Sequence, residues 1–140
     1  MQDFRRLLVW QRAHTFALDM HRAIDAFPRG KYAELKAQMR RATESIANNI
    51  VEGCAAASRK EFARYLDISI KSASEVDYQL QLAHDLGAID AATWQPLARE
   101  VVELRKMLWG LRRTILATRD SRDQRENNPP GVTLKPDDSN

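Results

Sequence analysis

A chain of 140 residues with 44% hydrophobic and 29% charged side chains can close one hydrophobic core but not two. Its longest unbroken run of large apolar residues, Leu7 to Trp10, falls far short of the roughly 20 needed to span a bilayer, and a single cysteine, Cys54, excludes an internal disulfide. The formal net charge of +3 conceals +5 over residues 1–119, where 19 basic side chains meet 14 acidic ones, a balance compatible with a nucleic-acid partner.

The first predicted helix covers about residues 8–27. Trp10, Ala13, Ala17, Met20, Ile24 and Phe27 step alternately by three and four, the spacing of a helix packed along its length. Pro28, Arg29 and Gly30 end it. The second helix spans about 33–53 on the stripe Leu35, Met39, Ala42, Ile46, Asn49 and Gly53, with Gly53 read as its C-terminal stop. Ser58-Arg-Lys-Glu61 is a capping box opening the third helix, about 59–86, on Phe62, Leu66, Ser69, Ala73, Val76, Leu80 and Ala83. The fourth, about 91–119, carries the strongest stripe: Trp94, Leu97, Val101, Leu104, Leu108, Leu111 and Ile115. Either Asp90 or Thr93 caps it, and Pro96 favours Thr93, since proline is tolerated in a first turn. Gly110 flanks that stripe, where a close neighbouring backbone is one explanation for it.

Long amphipathic helices with short connections predict an all-α, antiparallel up-down-up-down four-helix bundle over residues 1–119. No alternating strand pattern competes. Residues 120–140 are polar and rich in Pro, Asn and Asp, and are expected to be a disordered tail. No long apolar stretch or small-residue cleavage site follows Arg5 and Arg6, so no signal peptide is read and a reducing cytoplasm is the expected compartment.

A four-helix bundle invites a di-iron reading, which needs Glu-x-x-His pairs. Gln11, Leu18 and Gln81 stand three residues before His14, His21 and His84, so that chemistry is excluded. His14 and His21 share a face about 10 Å apart, too far for one metal without further ligands. Cys54 has no histidine close in sequence to activate it. With no phosphate loop, nucleophile elbow or zinc spacing, neither an enzyme nor a metal nor a cofactor is expected.

The unusual feature lies beside the apolar stripe of helix two. Gln38, Arg41, Ser45, Asn48 and Glu52 form one polar row, Asn49 falls on the stripe itself, and helix three offers a matching row of Tyr65, Ser72, Glu75 and Gln79. Either this is an exposed face, or it is a polar seam inside the bundle or between subunits that fixes register at some cost in stability. The seam predicts that Arg41→Ala damages fold or assembly far more than Arg22→Ala.

The stretch from Gln38 to Gly53, QMRRATESIANNIVEG, resembles the signature of bacterial four-helix-bundle proteins associated with 23S rRNA intervening sequences. Val9-Trp10-Gln11 with Ala13, Phe27-Pro28, Lys60-Glu61-Phe62, Ser72 with Glu75, and Met107-Leu108 with Gly110-Leu111 support it, so the likeness covers about residues 4–117. Ala47 departs from it, standing where that family often has proline. The resemblance implies a homo-oligomeric ring, a homopentamer. Through the related accessory protein of diversity-generating retroelements it also implies an RNA or DNA role.

The chain's own candidate for that role is helix four. Arg105, Arg112 and Arg119 recur every seven residues with Lys106 and Arg113 beside them, and no acid interrupts residues 104–119. Such a row either contacts phosphates, with each contact salt-dependent, or opposes the helix macrodipole. No aromatic interleaving is seen, so weak sequence preference is expected. The rival readings are a structural or protein-interaction scaffold with no nucleic-acid role, and a small-molecule-binding bundle with Trp94 or Trp109 as its foothold. Trp109 also stands where an interface anchor would.

Overall fold

The computed structural model describes residues 2–126 and Gly131. A 3-10 turn at Phe4–Arg6 precedes four helices: α1 (Leu8–Asp25), α2 (Ala33–Ala55), α3 (Arg59–Asp85) and α4 (Ala91–Glu126). Each packs on its sequence neighbours and α1 closes on α4, so the chain forms an all-α four-helix bundle. Cross-helix pairs show the antiparallel course: His21 meets Glu44 and Asp25 meets Arg40, while Asp67 meets Arg112 and Asp77 meets Arg105. The expected fourth helix ended at residue 119; the observed one continues to Glu126. The rest of the expected disordered tail, apart from Gly131, lies outside the described residues.

Phe16, Met20, Ile24, Met39, Ile46, Ile50, Leu66, Leu80, Leu104 and Leu108 fill the centre, each less than 2% exposed. On α3 and α4 the expected stripes are the buried ones, save that Trp94 and Leu111 are only partly covered. On α1 the buried face keeps Ala13, Met20 and Ile24 of the expected stripe, with Phe27 just past the helix end, and is wider on one side. Val9, Phe16 and Ala23 go inside, while Trp10 turns aside to meet the Phe4 ring edge-on at 4.8 Å. A second aromatic packed at the helix start thus holds Trp10, half-buried, at the edge of the core.

The helix ends follow the local signals at Ser58 and depart from them at Asp90 and Gly53. Ser58 caps α3 as expected, its Oγ accepting from Glu61 N at 3.1 Å. Asp90, not Thr93, caps α4, with its Oδ1 accepting from Thr93 N at 2.7 Å. That hydrogen bond holds the Asp90 carboxyl below its usual range, so the cap is intact above ordinary aspartate pH values and loosens as pH falls below them. Pro96 therefore sits in the second turn, where it removes one ladder hydrogen bond. Gly53 is not a stop. The helix runs two residues further, and φ at Gly53 is not positive; positive φ occurs at Gly30, Gly87, Gly131 and Tyr32. Tyr32, at φ 62°, holds a left-handed conformation costly for a bulky residue, and its hydroxyl donates to Leu86 O at 3.1 Å, tying the α1–α2 connection to the end of α3.

Candidate functional site

The basic row on α4 is largely spent on holding α4 to α3. Arg112 Nε lies 2.6 Å from Asp67 Oδ1, and Arg105 reaches Asp77 Oδ2 at 3.2 Å and Ser74 Oγ at 3.4 Å. Both guanidinium groups are half-buried. Lys106 pairs with Glu103 one turn earlier at 3.4 Å. Arg113 is exposed and has no ion pair among the described residues, and the Arg119 side chain lies outside them. The heptad spacing placed Arg105 and Arg112 on one face correctly, but that face looks onto acids of the next helix. Arg112→Ala is expected to cost about 1 kcal/mol in urea unfolding, because it leaves Asp67 without its partner. Lys106→Ala, which loses only an exposed pair within one helix, should cost less.

The α2–α3 row divides into an inner and an outer part. Ser72 Oγ donates to Ser45 Oγ at 2.8 Å, Asn49 Nδ2 donates to Ser45 Oγ and Ser45 O at 2.9 and 2.8 Å, and buried Ser69 donates to Ile46 O at 2.8 Å. The Ser72–Ser45 and Ser69–Ile46 bonds cross between α3 and α2 and pin their register, while the Asn49 bonds stay within α2 and orient Ser45. Gln38, Arg41, Asn48, Glu52 and Glu75 are exposed. Between the two parts a cleft of about 260 Å³ is lined by Gln38, Arg41, Ala42, Ser45, Ser72 and Glu75. Arg41 in this cleft has no ion-pair partner among the described residues. Buried Gln79 donates to Glu75 at 3.4 Å, yet its own Oε1 has no partner among the described residues.

Other polar groups are structural. Arg12 clamps α1 to α4 with a two-point contact to Glu100 at 2.9 and 2.7 Å, and hydrogen bonding to Glu100 raises the Arg12 pKa. No sequence signal marks a pair 88 residues apart. His14 stacks on Trp10 with ring centres 5.0 Å apart, and His84 stacks on Trp94 at 4.2 Å. Burial pushes the Cys54 thiol up, with Asp3 adding to the shift, so it is not an activated thiolate. Among the described residues no three His, Cys, Asp or Glu side chains converge as metal ligands, and no helix is long and apolar enough to cross a membrane.

The main charge feature lies away from the row of Arg105 and Arg112, at one end of the bundle. Gln2 N donates to Cys54 O at 3.4 Å, bringing the start of the chain to the end of α2 and the start of α3. Arg6, Arg59, Lys60, Arg64 and Arg113 gather at this end, none with a carboxylate at ion-pair distance among the described residues. Asp3 and Asp67 there are engaged by Arg5 and Arg112, leaving Glu52 and Glu61 as the acids without an ion pair among the described residues. At the opposite end Arg29, Lys31 and Lys36 are balanced by Glu34, Asp85 and Asp90. Positive charge is therefore concentrated at one end of the bundle.

A family model described as 23S rRNA-intervening sequence protein matches residues 5–110. Among solved structures, a protein of unknown function from the S23 ribosomal protein family of Bacteroides thetaiotaomicron superposes with a TM-score of 0.71 at 26% identity, covering 74% of this chain and 97% of that one. No curated protein matches the chain.

Proposed function

The chain belongs to the 23S rRNA-intervening sequence protein family, and from that premise we propose that it is a non-enzymatic, cytoplasmic homo-oligomer, a pentamer by family resemblance, that binds RNA or DNA without reading base sequence. The observation that carries the nucleic-acid reading is the basic end, where Arg6, Arg59, Lys60, Arg64 and Arg113 have no carboxylate at ion-pair distance among the described residues, against two such acids, Glu52 and Glu61. Closed symmetry multiplies such a patch, and phosphate contacts made by several copies add. The outer half of the α2–α3 seam supports the oligomer, because Arg41 and the Gln79 carbonyl find no partner among the described residues.

Fluorescence-anisotropy titration of structured RNA and of duplex DNA at roughly 50 and 200 mM salt tests the first part; affinity should fall steeply between the two. Absence of binding at the lower salt sinks the nucleic-acid reading and leaves the scaffold reading, which the neutralised Arg105 and Arg112 favour. Light scattering tests the second part. Arg41→Ala should lower the mass while leaving helicity intact, whereas Arg22→Ala, which loses only a contact to Asp19 within α1, should leave the mass unchanged. Equal masses for the two variants would remove the seam from the interface.

A further inference from the structure

Beside the basic end, α3 and α4 enclose a groove of about 450 Å³, within the range of pockets that take small organic groups. Ala63 and Leu116 form an apolar part of its lining, Lys60 and Arg64 stand on it without ion pairs among the described residues, and Arg112 lies against it, held there by Asp67. Arg112 also sits 5.5 Å from the centre of the Trp109 ring, which is 44% exposed although its neighbours Leu104 and Leu108 are fully buried. Trp109 and Leu116 are seven residues apart on one face of α4, about 10 Å along the axis. One exposed aromatic face, one apolar groove and two free cations thus follow each other along a single helix–helix boundary.

We propose that this boundary binds single-stranded nucleic acid, with an unpaired base stacked on Trp109 and the strand running along the groove so that its phosphates meet Lys60 and Arg64. The inference rests on the nucleic-acid reading above and specifies its ligand. Cations alone would serve a duplex equally, since a duplex offers its phosphates outward. An exposed indole and an apolar groove have no use for phosphates; they suit the flat faces of bases that are not already paired and stacked. Arg112, fixed by Asp67, holds its guanidinium near the ring and adds a planar cation beside the stacking site. Glu61 and Asp67 line the groove as well, but Asp67 is neutralised by Arg112, so the rim keeps a positive balance.

The test uses the full chain and two probes of equal length at one low salt concentration: labelled oligo-dT and a labelled DNA duplex. Wild type should bind the single strand more tightly than the duplex. Trp109→Ala should lose about five- to hundredfold for oligo-dT, the range for one base–aromatic stack, with duplex binding unchanged. Trp109→Phe should retain most of the affinity but lose the tryptophan quenching that oligo-dT causes in wild type, since Trp10 and Trp94 are packed against other rings. Equal binding of both probes, indifferent to Trp109→Ala, overturns the groove while leaving the electrostatic reading standing. Loss of mass in Trp109→Ala by light scattering assigns the ring to a contact with a second copy and likewise overturns it. Failure of wild type to bind either probe overturns both readings together.

Discussion

Gly53→Ala should lower the melting temperature, although alanine is the better helix former. A Cβ at Gly53 would stand 2.8 Å from Phe62 Cδ1 and 3.0 Å from Cε1, with Tyr65 Cβ 3.4 Å away. Phe62 is itself buried in the core, so its ring cannot simply swing out. Overpacking of this kind costs about 1–3 kcal/mol, against a gain of about 1 kcal/mol in helix propensity. The net expectation is a loss of up to about 2 kcal/mol, whose upper end is several degrees in Tm for a chain of this size. Gly110→Ala is the control. Nothing lies within 4 Å of a Cβ built there, so only the propensity gain remains and Tm should rise. The opposite signs, read by thermal unfolding of the two variants, separate a glycine required by close helix approach from one that is not. A rise in both would remove the close-approach account of Gly53.

That pair also shows where sequence reasoning stops. Periodicity found all four helices and most of the buried positions, because burial repeats at the helical period and the stripes are long. A glycine near a helix end, however, has the same sequence appearance whether it turns the chain or admits a neighbour. Only the Phe62 ring decides, and it belongs to the next helix. The same limit explains Arg105 and Arg112. Their spacing reveals a shared face, while the acids that meet them, Asp77 and Asp67, follow the periodicity of another helix and a register that sequence does not print. Ser45, Asn49 and Ser72 were legible as unusual because they are short polar groups where long charged ones are expected on an exposed face. That their row is buried in its middle and open at Arg41 follows from the helix crossing, not from the row.

The largest functional effect is expected from Lys60→Ala, Arg64→Ala and Arg113→Ala combined. None of the three holds a helix in place through an ion pair among the described residues, so fold and mass should survive their removal. Each cation that neutralises a phosphate contributes about 0.9 to the slope of log affinity against log salt on duplex DNA. Losing three should flatten that slope by roughly 2.7 and weaken binding at low salt far more than at high salt. Arg105→Ala makes the opposite case, since its charge is already met by Asp77 at 3.2 Å; it should lower stability while leaving the salt slope nearly unchanged. If instead the Arg105 variant flattens the slope and the triple variant does not, phosphates are being read along the middle of α4 and the basic end is only a solvated pole. The two outcomes differ because an ion pair is a competitor for phosphate: a cation must leave its carboxylate before it can serve, and a free one need not.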